Sequence, residues 1–326
     1  MLRSCVCAVV MLAAGFLAPR AIAQSAADPV VRSWADSVWR VQVGDQTRIY
    51  GLHRHHIEQA HGPVPIIIYL HGAGQLVTDP VLLRYDIPFG DLPDLEPALI
   101  VSPQAADRRW DAIPGSVEAW QRRSGLDGEQ VDDIGFLRAV IDDVIAREHG
   151  DPSRVYVAGV SSGGFMAARV ACELADRVTA VADIIATMYT SQLIRCDRAR
   201  PIPFLLLAST TDPTNSYVGW RGNEATGLAS AVDTVALFAG HNHCTARTEE
   251  GLPHLADVPS TVTLARYSGC AGGAEVLFYR VDGSGHSVPS TLPPEPGGWR
   301  ENGARNRDFD TARVVWSFFS RHRLGE

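Results

Sequence analysis

Ser161 stands in Gly159-Val160-Ser161-Ser162-Gly163-Gly164, directly after the apolar run Val155-Tyr156-Val157-Ala158 and directly before Phe165-Met166-Ala167-Ala168-Arg169. This is the G-x-S-x-G spacing between a strand pattern and a helix pattern. A nucleophilic serine needs such a turn. Residues without side chains on either flank let the chain bend sharply, the bend lifts the hydroxyl out of the sheet, and the following helix N-terminus faces the oxygen where negative charge grows. The chemistry open to it is covalent acyl transfer, which requires a base to take the hydroxyl proton and a carboxylate to orient that base.

In this strand-turn-helix setting the partners follow in the order serine, acid, histidine. The run 202–208 leads into Ser209-Thr210-Thr211-Asp212-Pro213, so Asp212 falls just past the carboxyl end of an expected strand; Asp233 and Asp282 are its rivals. The run 275–281 leads into Asp282-Gly283-Ser284-Gly285-His286, so His286 lies on a glycine-lined loop after the last expected strand. Backbone N–H groups should bind the oxyanion. One candidate is Ser162, the residue after the nucleophile; the other is Ala73, with Gly74 as its rival, in His71-Gly72-Ala73-Gly74. His71 is read as a structural residue of that loop and left out of the triad.

These residues must be presented by elements that alternate. Residues 64–70, 98–102, 155–158, 178–185, 202–208 and 275–281 are short apolar runs, suited to strands buried on both faces. Helix patterns fall at 131–148, 164–175, 229–238 and 311–321; in the first, Val131, Ile134, Leu137, Ile141 and Ile145 recur at steps of three and four. The alternation predicts an α/β fold with a mainly parallel central sheet and helices on both faces, its ligand site at the carboxyl ends of the strands.

Composition narrows the chemistry. All 29 basic residues among the 326 are arginine, which excludes lysine Schiff-base and phosphate-loop chemistry, and 37 acidic residues give a net charge of -8 that disfavours nucleic acid as a partner. Arg3, an apolar run over 5–18 and the small-x-small site Ala21-Ile22-Ala23 predict a signal peptide at 1–23, leaving 24–326 as one catalytic domain with no membrane span after cleavage. Removal of Arg3 and Arg20 makes the balance 27 minus 37, or -10. Of six cysteines, Cys172, Cys196, Cys244 and Cys270 remain, an even number suited to an oxidising compartment. Three pairings can be drawn, and sequence order favours Cys172 with Cys196 and Cys244 with Cys270. Residues 291–306, rich in Pro, Gly, Arg and Glu, read as the clearest loop.

Other residues carry weaker signals. His53, His55, His56 and His61 cluster on an early strand and its turn but lack spaced cysteine or glutamate partners, so no metal is expected. Trp110, Trp120, Tyr217 and Trp220 have the chemistry to stack on an aromatic acyl group or a sugar, as well as to pack a core. Arg108-Arg109 and Arg122-Arg123 have the charge for a carboxylated glycan or for a solvated loop.

Taken in order, YLHGAG at 69–74, VDDIGFLRAVIDD at 131–143, the segment 151–178 around Ser161, CDRARPIPFLLL at 196–207, TTDP at 210–213, HNHC at 241–244 and GSGHSVP at 283–289 resemble one group. It is the secreted polyhydroxybutyrate depolymerase and feruloyl esterase group, carbohydrate esterase family 1-like members of the α/β-hydrolase superfamily. The resemblance implies an α/β-hydrolase fold, a Ser161, Asp212 and His286 triad, and no cofactor. The chain departs from the group in two places. Val288 stands where members often carry Trp two residues after the histidine, and Ala73 where many carry Cys. No polymer-binding module is expected after Glu326, and that expectation favours soluble or carbohydrate-linked aromatic esters, feruloyl or hydroxycinnamoyl, over solid polyester. A polyhydroxyalkanoate depolymerase is the alternative, followed by an acetylxylan esterase, an acyltransferase or a binding protein that kept the fold.

Overall fold

A computed structural model describes residues 37–77, 89, 92, 95–113, 115–116, 131–193, 196, 200–220, 222, 227–255, 258–292 and 303–325. The expected leader at 1–23, Trp120, Arg122, Arg123 and residues 293–302 of the expected loop lie outside the described residues.

Ten strands form one sheet among the described residues: β1 (Ser37–Val43), β2 (Gln46–His55), β3 (Val64–Leu70), β4 (Ala98–Pro103), β5 (Gly150–Val160), β6 (Ala180–Ile184), β7 (Phe204–Ser209), β8 (Ala246–Gly251), β9 (Thr261–Ser268) and β10 (Val276–Asp282). Their order is β1-β2-β4-β3-β5-β6-β7-β10-β9-β8. From β4 to β10 all neighbours are parallel. The β1-β2 hairpin joins one edge and the β9-β8 pair the other, both antiparallel. Among the described residues the α-helices are α1 (Asp133–Glu148), α2 (Ser162–Glu173), the short α3 (Thr190–Leu193), α4 (Ala231–His241) and α5 (Thr311–Phe319).

Alternation along each central strand divides its side chains between two cores. Ile66, Ile68 and Leu70 of β3 join a cluster with Phe136 and Leu137 of α1, Met166 and Val170 of α2 and Phe238 of α4. Ile67 and Tyr69 enter the opposite cluster with Val315, Trp316, Phe318 and Phe319 of α5. Strands buried on both faces read as continuous apolar runs, which is why all six central strands were legible in the sequence.

The edges differ from the expectation. β8 and β9 were not anticipated; β8, ARTEEG, is exposed at every position and has no apolar face to betray it. The face of α1 that meets the sheet is Phe136, Leu137, Val140, Ile141 and Val144, with Ile134 and Ile145 at its margin. The stripe expected from the sequence includes Val131, which precedes the helix, and the buried face is rotated from it.

Parallel strands all end on the same side. The loops after β3, β5, β7 and β10 therefore share one edge, and these are the loops that hold Ala73, Ser161, Asp212 and His286.

Candidate active site

Ser161 joins β5 to α2 with φ 55° and ψ -115°, a left-handed conformation rare for a residue with a side chain. Its N–H donates to Ile184 O at 2.9 Å, and its carbonyl accepts from Gly164 and Phe165 N–H at 2.8 and 3.2 Å. The two motif glycines are required by space. A Cβ at 159 would collide with the Gly163 carbonyl, and one at 163 with the Leu70 carbonyl. The helix start is thus pressed against the end of β3.

His286 Nε2 lies 3.0 Å from Ser161 Oγ, and its Nδ1 lies 2.7 Å from Asp212 Oδ2. The Asp212 side chain is almost fully buried, with 2% of it exposed, against 11% for the His286 side chain. Its other oxygen, Oδ1, accepts the Thr214 and Asn215 N–H groups at 2.7 and 2.8 Å, which leaves Oδ2 for the imidazole. A carboxylate oxygen is an acceptor, so His286 Nδ1 donates and Nε2 presents its lone pair to the hydroxyl. Two further bonds tie the acid loop to the histidine loop: the hydroxyls of Ser209 and Thr211 both donate to Ser284 O.

The rival carboxylates are engaged elsewhere. Asp282 pairs with Arg280 at 3.1 Å, and Asp233 accepts from the Ser230 hydroxyl in the first turn of α4. In the loop after β3, Gly74 N–H is committed to Arg108 O at 3.0 Å and Gly72 N–H to Gln75 Oε1 at 2.6 Å. Ala73 is exposed and its N–H has no acceptor among the described residues. His71 is buried, with Nδ1 on Gly72 O at 2.7 Å and Nε2 accepting Ala105 N–H at 3.1 Å. Burial lowers its pKa to about 4, so the ring is neutral at pH 7.

The expected substrate aromatics divide. Trp110 is a correction: it is 4% exposed and its indole N–H donates to His71 O at 2.9 Å, so the ring packs the loop from behind and offers no platform to a ligand. Val288 is likewise buried, inside the second core. Tyr217 is half-buried and stacks on Phe278 at 6.3 Å between ring centroids. Trp220 is 53% exposed on the loop after β7, bridged through its backbone to Leu228. His53 and His55 lie on β2, and among the described residues no group of three or more His, Cys, Asp or Glu side chains could hold a metal ion.

Several residues around the site gave no sequence signal. Asn215 donates from Nδ2 to Ile185 O at 2.7 Å while its N–H serves Asp212. Ile185 itself has φ 50°, an outlier for a β-branched residue, and its N–H donates to Leu207 O at 2.7 Å. Asp183 of β6 is wholly buried against Gly164 with neither oxygen hydrogen-bonded among the described residues, and burial drives its pKa well above the carboxylate range. Such residues act through backbone carbonyls or desolvation, and neither leaves a spacing motif.

No protein-family model matches the chain. It is 28% identical over 163 residues to feruloyl esterase B of Piromyces equi, a match covering 48% of this chain and only 29% of that protein. It is also 28% identical over 327 aligned positions to a provisionally named esterase, NocK, of Nocardia uniformis subsp. tsuyamanensis, covering 92% of this chain and 88% of that one. Among solved structures, a thermostable esterase superposes with TM-score 0.52 at 13% identity, covering 88% of this chain and 62% of that one. Acetyl xylan esterase from Aspergillus awamori does so with TM-score 0.52 at 14% identity, covering 78% and 95%. The fold is that of the α/β hydrolases.

Proposed function

We propose that this protein is a secreted serine esterase that hydrolyses carboxylic esters through Ser161, His286 and Asp212. The observation that carries the reading is the unbroken chain from Asp212 Oδ2 through His286 to Ser161 Oγ, at 2.7 and 3.0 Å. His286 Nε2 takes the hydroxyl proton as Oγ attacks the ester carbonyl, and Asp212 holds the Nδ1 proton and balances the imidazolium. The Ala73 and Ser162 N–H groups bind the oxyanion. His286 then gives its proton to the leaving alcohol oxygen, and an acyl group remains on Oγ. Water attacks the acyl carbon, losing its proton to His286, and collapse of the second tetrahedral intermediate returns that proton to Oγ and frees the acid. Each step closes with these groups and backbone donors.

Feruloyl or related hydroxycinnamoyl esters of plant polysaccharide are the proposed substrates, supported by the similarity to feruloyl esterase B over 48% of this chain. Export is supported by the leader pattern at 1–23 and by two disulfides, Cys172–Cys196 and Cys244–Cys270. No helix among the described residues is long and apolar enough to cross a membrane.

Rates on methyl ferulate, acetylated xylo-oligosaccharide and hydroxybutyrate oligomers test the reading. Methyl ferulate should give the highest kcat/KM, and Ser161→Ala should lower kcat by roughly 10⁵-fold or more, as loss of a triad serine does. Preference for hydroxybutyrate oligomers would move the substrate to polyester. Unchanged rates in Ser161→Ala would overturn the mechanism.

A further inference from the structure

A trans peptide carries its C=O and N–H on opposite sides, so fixing one aims the other. The Gly72 carbonyl accepts from His71 Nδ1 at 2.7 Å, on the buried side of the loop after β3. The other side of that peptide is the Ala73 N–H, which therefore turns away from the imidazole. The next peptide is fixed in a different direction, because Gly74 N–H donates to Arg108 O at 3.0 Å. The loop also lies against the nucleophile turn, since a Cβ on Gly163 would meet the carbonyls of Leu70 and His71.

His71 donates from Nδ1 only as the Nδ1-protonated tautomer, and the loop after β4 imposes that tautomer. Ala105 N–H, a group that can only donate, points at Nε2 from 3.1 Å, and the Gln104 amide nitrogen is also 3.1 Å from it. Trp110 fixes the residue from its other end, its indole N–H donating to His71 O at 2.9 Å. Gln104 Oε1 accepts Val77 N–H at 2.9 Å and closes the loop.

We propose that His71, set in tautomer and position by Ala105 and Trp110, is the positioning residue that aims the Ala73 N–H into the oxyanion hole. The proposal rests on Ser161 being the nucleophile. The imidazole touches neither substrate nor the reacting atoms; it acts through one peptide plane. Burial keeps the ring neutral down to a pKa of about 4, so the Nε2 lone pair that receives Ala105 is present through the neutral range.

The test compares His71→Asn, His71→Gln, Trp110→Phe and Ser161→Ala with the parent in p-nitrophenyl acetate hydrolysis, with a thermal melt of each. An asparagine amide can place its N–H where Nδ1 stands, whereas a glutamine amide reaches the Nε2 position and leaves Gly72 O without its donor. His71→Gln should lower kcat by roughly 10²- to 10³-fold, the loss expected for one oxyanion donor, with KM within about twofold. His71→Asn should recover at least about tenfold of that loss, and Trp110→Phe should lower kcat by about tenfold at unchanged KM. The proposal is overturned if His71→Gln keeps kcat within about threefold of the parent, or if the Asn and Gln variants lose equally in step with their melting temperatures. If neither His71 variant folds, Trp110→Phe decides: an unchanged kcat overturns the relay. An inactive Ser161→Ala beside an unimpaired His71→Gln sinks the relay alone, whereas an active Ser161→Ala sinks the esterase reading.

Discussion

Asp212 gives its two oxygens separate duties, Oδ1 to the Thr214 and Asn215 N–H groups and Oδ2 to His286. In Asp212→Asn the backbone donors hold the amide oxygen, and its NH2 then faces Nδ1. That geometry favours the tautomer with the proton on Nε2, where it cannot accept from Ser161. Hydrolysis should fall by roughly 10⁴-fold in kcat while the melting temperature changes little, checked by steady-state rates and calorimetry. Asp183 makes a different prediction. Its folded pKa lies well above that of the unfolded chain, so below about pH 4 both states are protonated and burial carries no ionisation penalty. As pH rises above that, the unfolded state releases its proton first and the native state loses about 1.4 kcal/mol per pH unit until its own pKa is reached. Asp183→Asn removes this slope. Urea titrations across the pH range should show the variant gaining on the parent as pH rises, and parallel curves would refute it.

At the scale of elements, the strand-turn-helix of β5 and α2 was legible because its steric demands are local. Gly159 and Gly163 flank the only residue of the turn that must carry a side chain in a left-handed conformation. Gly163→Ala drives a methyl into the Leu70 carbonyl, backbone against backbone with no side chain to yield. A loss of about 3 kcal/mol or more in stability, with loss of activity, is expected from chemical denaturation and rate measurements. Gly240→Ala, where a Cβ meets nothing within 4 Å, should leave stability within about 1 kcal/mol or raise it. The hairpin edges were not legible for the opposite reason. A strand such as β8, solvated at every position, takes its conformation from its neighbour β9 and needs no pattern of its own.

For the whole molecule, the bridges Cys172–Cys196 and Cys244–Cys270 close loops with sequence separations of 24 and 26. Loops of that size restrict the unfolded chain enough for each bridge to contribute about 3 kcal/mol. Cys244 and Cys270 sit beside β8 and β9, far along the sheet from β5. Replacing both with alanine should lower unfolding stability by about that amount in urea titration while kcat/KM stays within about twofold.

Composition, motif spacing and apolar runs by themselves determined the layered α/β architecture, the order of its six central strands along the chain, and the short set of residues with the chemistry for acyl transfer. These follow from local sterics and from burial, both of which are written residue by residue. Tertiary structure alone decided which carboxylate faces the imidazole, that Trp110 braces a loop, and which N–H after β3 has no acceptor among the described residues. Each of those depends on groups far apart in the chain, Asp212 with His286, His71 with Ala105 and Trp110, Gly74 with Arg108. A hydrogen bond between distant backbone groups leaves no mark on residue type, and only the packed sheet brings its two ends together.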